Sequence, residues 1–167
     1  MARDSDRDAF VAAMRRAAAA VGVVATARPA GRLAVTVSAI ASVSAEPPIV
    51  LACINRRSPV CAAVRTNRVF TVNLLTTAQA HIAETFAGRP GFPPFDFACA
   101  EWHEVGDPAA PSLADALCSF HCHLYQSHEA GTHTVLLGQV SRTISRDGMP
   151  LLYSGRRYAA LEPMSTS

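Results

Sequence analysis

The amino-acid sequence predicts a mainly β protein with a few helices, folded as an antiparallel barrel or sandwich. Runs of β-branched and small residues return about every ten to fifteen residues, and only short helical stretches separate them. Doubly wound parallel sheets need a long helix between successive strands, so this spacing favours antiparallel pairing. No glycine-rich G-x-G-x-x-G turn follows any of these runs, which argues against a Rossmann dinucleotide site.

The first predicted element is an amphipathic helix over roughly residues 6–19. Ser5 is followed three residues later by Asp8, which is a capping signal. Apolar side chains from Phe10 to Ala18 recur at the helical spacing, with arginines on the other side. After this helix the period changes to that of strands.

Two strand-like runs then predict a β-hairpin. Residues 21–28 and 32–39 flank the sequence Pro29-Ala30-Gly31, which has the residues that such turns need. Further strands are predicted over residues 48–54, 69–75, 117–125, 133–144 and 150–153, and short helices over 59–65 and 77–87.

Length and composition predict a single globular domain over residues 1–167. A chain of this length buries ~70% of its unfolded surface, and 50% of the residues are hydrophobic, which excludes an intrinsically disordered chain. Two segments rich in proline and glycine, 88–95 and 106–112, are interpreted as loops inside that domain, because the strand pattern resumes after them. The net charge of +2, without long runs of like charge, is too small to predict binding to nucleic acid or to a membrane surface.

The basic and sulfur-bearing residues exclude several enzyme classes. All fifteen basic residues are arginine, so the chain cannot form a Schiff base, bind pyridoxal phosphate through lysine or build a lysine-bearing phosphate loop. Five irregularly spaced cysteines without a C-x-x-C pair favour a reducing compartment, and we expect the cytoplasm. The longest uncharged apolar stretch, residues 17–27, is too short for a membrane span, and we expect no signal peptide.

Cysteines and histidines are concentrated on one predicted strand, which raises the question of a metal site. Residues two apart on a strand share a face, so Cys118 and Cys122 point one way while His121 and His123 point the other. No spacing supplies a third ligand, and the prediction is a core strand with a polar outer face and no metal. Cys53 lies in an apolar run and is predicted to be an inert core thiol.

A dense stretch of hydroxyl residues between Thr36 and Ser44 is the most informative chemical signal. Short hydroxyl side chains at a strand end leave backbone N–H groups accessible and offer donors to a neutral ring edge or a phosphate. The same alternation also describes an ordinary strand with one wet face. The stretch by itself leaves both interpretations open.

Six short motifs occur in one order along the chain. They are Thr36-Val37-Ser38-Ala39, Ser42-Val43-Ser44 before Glu46-Pro47-Pro48, Cys53-Ile54-Asn55-Arg56-Arg57-Ser58, Phe70-Thr71-Val72-Asn73-Leu74-Leu75, Phe86-Ala87-Gly88-Arg89, and Gly131-Thr132-His133-Thr134 with Gly138-Gln139-Val140. In this arrangement the chain resembles the short-chain NAD(P)H:flavin oxidoreductases, which serve as the reductase component of two-component flavin monooxygenases. The resemblance runs from about residue 8 to residue 161.

The resemblance implies a split antiparallel β-barrel with Greek-key connections, a homodimer, and a flavin groove near the dimer interface. By position in the motifs, Thr36, Val37 and Ser38 would contact the isoalloxazine edge, largely through backbone atoms. The ribityl-phosphate region would be held by Ser42, Val43, Ser44, Asn55, Ser58 and Arg89. The same motifs add Cys53, Phe86 and Gly88 to the expected cofactor contacts.

The resemblance also implies which residues face the nicotinamide. His133 matches the histidine of the family's G-D-H pattern and is the expected catalytic residue. Tyr153, Arg156 and Tyr158 resemble the C-terminal segment that closes over the cofactors. Thr132 stands where the pattern has an acidic residue, which leaves open what orients the imidazole.

The implied function is NAD(P)H-dependent reduction of FMN or FAD, with release of the reduced flavin to a partner monooxygenase. Direct hydride transfer needs two stacked rings and excluded water rather than a nucleophile or paired carboxylates, and no such pair is evident in the sequence. Two alternatives stay open: a flavin-binding module without catalysis, and a split-barrel oxidase of the pyridoxamine-phosphate oxidase type. His133, Arg156 and Tyr158 favour the reductase, because a module that only holds flavin does not need them. The sequence does not choose between FMN and FAD or between NADH and NADPH.

Overall fold

The N-terminal helix is shorter than predicted. The computed structural model describes residues 4–27, 29, 31–88 and 96–164. Helix α1 (Asp4–Met14) begins before the predicted start at residue 6 and ends well before residue 19, and Ser5 lies inside it. The predicted end is wrong because Ala19 and Ala20 pair with a strand near the C-terminus, which local periodicity cannot register.

The rest of the described chain is mainly strand. The strands are β1 (Ala19–Ala20), β2 (Gly22–Thr26), β3 (Leu33–Val37), β4 (Ile40–Ala45), β5 (Pro48–Asn55), β6 (Val69–Leu74), β7 (Trp102–Val105), β8 (Ala110–Leu113), β9 (Cys118–Ala130), β10 (His133–Ser145), β11 (Leu152–Ser154) and β12 (Arg157–Ala159). The helices are α2 (Pro59–Asn67) and α3 (Ala80–Phe86), with short 3-10 turns at Thr77–Gln79 and Phe97–Cys99. None of the described helices is long and apolar enough to cross a membrane.

The predicted hairpin is confirmed, and each predicted strand overlaps an observed one. β2 and β3 pair antiparallel, with Gly22 opposite Val37. The loop predicted over residues 106–112 is wrong at its end, because β8 pairs with β7 as a short hairpin. Proline at position 111 is tolerated there, since both strands of a two-stranded hairpin are edge strands.

The main sheet closes into a barrel because its two edge strands are consecutive in the chain. The seven antiparallel strands run in the order β3-β2-β6-β9-β10-β5-β4, which puts β3 and β4 at opposite edges. Only Ser38 and Ala39 separate these two strands, so Val37 and Ile40 are at most ~11 Å apart. Cys53 N–H donates to Ala39 O at 2.9 Å, which continues the β4–β5 pairing up to this connection. This arrangement confirms the predicted antiparallel β-barrel.

Strand β2 is buried along its whole length because both of its faces are covered. All five of its residues are buried. Val24 packs inside the barrel with Phe70, whereas Val23 packs on the outside with Ile82 of α3. The two hydrophobic clusters therefore share this strand as their common wall.

The outer face of β6 and β9 is polar, as predicted for β9, but the β7–β8 hairpin covers it. Asn73 Oδ1 accepts hydrogen bonds from Leu113 N–H at 3.0 Å and from Ser119 Oγ at 2.8 Å. Its Nδ2 donates to Val23 O at 3.1 Å. Each buried polar atom left unpaired would cost about 1–3 kcal/mol, so this amide fixes the hairpin on the sheet.

His121 lies on the same covered face, under the turn between β7 and β8. Its Nδ1 is 2.9 Å from Ser141 Oγ. Gly106 has a φ of 91° and leaves no room for a Cβ above the imidazole. Burial lowers the pKa of His121, and the nearby His123 acts in the same direction.

Acid should therefore destabilise the protein through His121. Because the folded-state pKa is lowered, the stability that neutral His121 contributes is complete above the unfolded-state value of ~6.5 and is lost as the pH falls below it. In urea denaturation, we expect the free energy of unfolding to decline below that pH, and His121→Gln to flatten the decline. His128→Gln, an exposed site on the same strand, is the matched control. An equal pH dependence in wild type and His121→Gln would contradict this.

Candidate functional site

The junction between β3 and β4 carries the hydroxyl residues that the sequence singled out. Val37 is buried, Thr36 is half-buried and Ser38 is exposed. Thr36 Oγ1 donates to Ala83 O of α3 at 2.7 Å, so its hydroxyl proton is already used. Ser38 therefore presents the exposed hydroxyl of this junction.

A small cleft opens beside the junction. Its volume is about 140 Å³, and it is lined by Val21, Thr36, Val37, Ser38, Ala87, Tyr153 and Tyr158. The rings of Tyr153 and Tyr158 pack edge to face, with their centroids 5.5 Å apart. The structure thus brings the two predicted C-terminal tyrosines to the predicted ring-edge residues.

The end of β5 leads into a capped helix. Asn55 Oδ1 accepts from Arg57 N–H at 3.0 Å, which turns the chain out of the strand. Ser58 is the N-cap of α2, and its Oγ accepts from Val60 N–H at 3.3 Å. A hydroxyl that accepts in this way keeps its own proton to donate, and the helix N-terminus favours negative charge.

His133 lies directly beside this turn, at the first position of β10. It is the register partner of Asn55, and Arg56 N–H donates to Thr132 O at 3.0 Å. Thr132 Oγ1 is 2.9 Å from His133 Nδ1. The side-chain contact of the imidazole is therefore with Thr132, the position where the resemblance has an acidic residue.

Cys53 joins these two parts of the site. Its amide bonds to Ala39 next to the β3–β4 junction, and Asn55 follows it by two residues on the same strand. Burial raises the pKa of the Cys53 thiol, so the thiol stays protonated at neutral pH. Residues 36–38, 53–58 and 132–133 therefore gather at one end of the barrel.

Within one protomer, the serines of β4 lie away from the end of the barrel where residues 36–38, 53–58 and 132–133 meet. Ser42 lies opposite Val50 on β5, five residues before Asn55, which is a distance of ~16 Å along the strand. Ser44 Oγ accepts from Glu46 N–H at 3.2 Å. Val43, between them, is exposed. The predicted set of ribityl-phosphate contacts is thus divided between two ends of β5.

The residues of the Phe86 motif also lie in different surroundings. The ring of Phe86 is buried in the outer core, 5.2 Å from the Phe97 ring and 5.7 Å from the Trp102 ring. Trp102 and Phe97 thus pack against the outer core. Gly88, just past the end of α3, is exposed, and Arg89 and residues 92–95 lie outside the described residues.

A larger cleft lies on the other side of Ser38. It has a volume of about 400 Å³ and is formed by α1, residues 38–39 and the β11–β12 hairpin with Arg156. Sequence reasoning did not find the α1 side of this cleft. The contacts that build it include Ser154 Oγ to Arg16 O, 138 residues apart in the chain, so no local pattern signals it.

The β9 cysteines and histidines separate as the strand phase predicts. The rings of His121 and His123 are 5.8 Å apart on the outer face. Cys122 packs inside the barrel, where burial raises its pKa to about 12. Within the part of the chain that the structure describes, no three His, Cys, Asp or Glu side chains converge as metal ligands.

The chain matches one family model and named relatives of that kind. The model of the flavin reductase like domain matches residues 14–162. The chain is 42% identical over 159 residues to an FMN reductase (NADH) RutF 1 of Methylorubrum extorquens, covering 93% of this chain and 77% of that protein.

Two solved structures extend the likeness to the fold. NADH:FAD oxidoreductase SgcE6 of Streptomyces globisporus C-1027 has a TM-score of 0.86 at 26% identity, over 99% of this chain and 98% of that one. A nitrilotriacetate monooxygenase component B from Mycobacterium thermoresistibile has a TM-score of 0.88 at 25% identity, over 99% and 92%. With a family match that spans most of its length, the chain belongs to the flavin reductase like domain family and is a flavin reductase.

Proposed function

We propose that the protein reduces FMN with NADH by direct hydride transfer and supplies the reduced flavin to a partner monooxygenase. The observation that carries this proposal is the pairing of His133 with Asn55 beside the Ser58-capped start of α2. This pairing supports an imidazole that orients the nicotinamide next to groups suited to a phosphate. In the sheet, Asn55 lies one strand and His133 two strands from β4, which begins just after Ser38.

The residues at this end of the barrel fit a flavin phosphate without lysine. Ser58 retains its hydroxyl proton for an anion, since its Oγ accepts from Val60 N–H. The α2 N-terminus adds a favourable dipole, and the exposed Arg57 lies beside it. A phosphate here would meet donors only from the backbone, hydroxyl and guanidinium groups.

The chain's own contribution to the reaction is positioning. When bound, the nicotinamide supplies a hydride from C4 and the flavin accepts it at N5. Tyr153 and Tyr158 line the cleft beside Ser38, and with the nicotinamide and flavin rings bound they would help to exclude water from them. His133, held by Thr132, orients the nicotinamide. None of the predicted contact residues is acidic, which agrees with a transfer that needs no acid–base pair.

The choice of flavin and hydride donor rests on the relatives. The 42% identical relative is named an FMN reductase (NADH), which supports FMN and NADH as the preferred pair. A solved structure at 26% identity is named an NADH:FAD oxidoreductase, so FAD is the second flavin to consider. Both names specify NADH.

A partner monooxygenase and a second copy of the chain complete the proposal. The solved structure named as component B of a monooxygenase supports an oxygenase that receives the reduced flavin. A homodimer with its flavin sites near the interface is supported by an open apolar cleft of about 360 Å³ along β4 and β5. Ser42 and Ser44 line this cleft, so in a dimer they would face the partner.

The proposed setting is a single domain over residues 1–167 in the cytoplasm. The family match over residues 14–162 supports one domain. All five cysteines are unpaired, which supports a reducing compartment.

The direct test is absorbance at the reduced-nicotinamide band with NADH or NADPH and FMN or FAD in all four combinations. We expect turnover, fastest with NADH and FMN. A flavin-binding module without catalysis would bind flavin but oxidise no nicotinamide in any mixture. That result would refute the proposed function.

Replacing His133 should affect the nicotinamide and leave the flavin bound. If His133 orients the nicotinamide, His133→Ala should slow hydride transfer by about 10- to 100-fold, or ~1.4–2.7 kcal/mol in the transition state. Stopped-flow transfer and flavin titration on one preparation measure both effects. A joint loss of flavin affinity and thermal stability would instead show a structural histidine.

Thr132 provides the matched pair for that experiment. Thr132→Val removes the hydroxyl at nearly constant shape, whereas Thr132→Ser keeps it. Because Thr132 Oγ1 bonds to His133 Nδ1, we expect the Val variant to follow His133→Ala and the Ser variant to follow wild type. Equal rates in the two variants would contradict the role of the hydroxyl.

A further inference from the structure

The two-residue turn between β11 and β12 explains the backbone conformation of Arg156 but not the choice of arginine there. Within the described chain, the non-glycine residues with positive φ are Arg68 at 62° and Arg156 at 65°. Arg68 caps α2, and its guanidinium donates to Leu124 O at 2.9 Å. Arg156 occupies the tight turn between β11 and β12, where Ser154 pairs with Arg157. Glycine adopts this conformation without steric cost, so the turn itself does not call for arginine.

Arg156 lines the 400 Å³ cleft together with Arg15. Gly155 N–H donates to Arg15 O at 2.7 Å, so one backbone hydrogen bond ties the two arginine-bearing segments together. Among the residues that the structure describes, neither guanidinium has a hydrogen-bond or ion-pair partner. No acidic residue of the described chain lines the cleft. Two arginines that have no partner among the described residues therefore border one cavity, which favours an anion there.

The remaining wall of the cleft is apolar. Phe10 and Met14 of α1 line it, and they are 65% and 55% exposed although both are large hydrophobic side chains. A ligand with a flat aromatic part could cover them. The cleft volume of about 400 Å³ falls within the range of small-molecule sites.

We propose that this cleft binds an adenosine diphosphate group, with the phosphates at Arg15 and Arg156 and the base against Phe10 and Met14. Guanidinium groups match phosphate oxygens in charge and geometry. The proposal rests on the proposed function, because NADH and FAD both carry this group and FMN lacks it. Ser38 and Tyr153 line this cleft and the smaller one, so the diphosphate site adjoins the ring junction.

Each of the two arginines has an adjacent arginine that serves as its control. Arg16 follows Arg15 and Arg157 follows Arg156, and neither control residue lines the cleft. In calorimetric titration with ADP itself, we expect Arg15→Gln and Arg156→Gln to weaken binding by about tenfold each, the size of one lost charge-assisted contact. Arg16→Gln and Arg157→Gln should bind ADP as wild type does.

Arg156→Gly separates binding from folding. Glycine suits the positive φ, so this variant should melt at the wild-type temperature or higher while it binds ADP more weakly. A lower melting temperature together with weaker binding would show that the arginine serves the fold, and would overturn the proposal.

Steady-state kinetics with Arg156→Gln then identifies the source of the diphosphate. A KM for NADH that rises about tenfold with FMN as acceptor assigns the cleft to the nicotinamide dinucleotide. A KM that rises for FAD alone assigns it to the flavin dinucleotide. No ADP binding to wild type, or equal weakening by all four Gln variants, would overturn the proposal. The ADP titration needs no turnover, so its failure and a failure of flavin reduction are distinguishable.

Discussion

The two-residue passage from β3 to β4 is the constraint on which the rest of the structure depends. A chain that leaves one edge of a seven-stranded sheet and enters the other edge within two residues forces those edges together. Closure puts one face of β2 inside the barrel and leaves the other for α3, which is why every residue of that strand is buried. It also fixes Ser38 and the start of β4 against Cys53. The proposed flavin site is built at this point of closure.

Local sequence patterns were sufficient for the elements whose partners are near in sequence. The β2–β3 hairpin and the long strands β5 and β10 follow from alternation and turn residues. The end of α1 could not be predicted, because Ala19 pairs with Tyr153 across most of the chain. The β7–β8 hairpin could not be predicted either, because a contact distant in sequence positions it. In that contact, Leu113 N–H of β8 donates to Asn73 Oδ1 of β6.

In the candidate site, too, some predicted residues meet as expected and others are carried elsewhere by the fold. The motifs around Asn55 and His133 meet because β5 and β10 are neighbours, and the Thr132 hydroxyl replaces the expected carboxylate by a contact with the next residue. The β4 serines share their motif region with the ring-edge residues, yet the strand carries them ~16 Å from Asn55. Phe86 is adjacent in sequence to cleft-lining Ala87, but its ring belongs to the core. A residue's position in a motif therefore predicted the region of the fold where it lies, but not the direction of its side chain.

Flavin binding at the point where the barrel closes is tested most directly by backbone amide chemical shifts, which are recorded residue by residue during titration with FMN and require no turnover. We expect the largest shifts at residues 36–38, 55–58 and 133, and no shift at His121 under the β7–β8 hairpin. Shifts confined to other parts of the barrel, with none at residues 36–38, would contradict it.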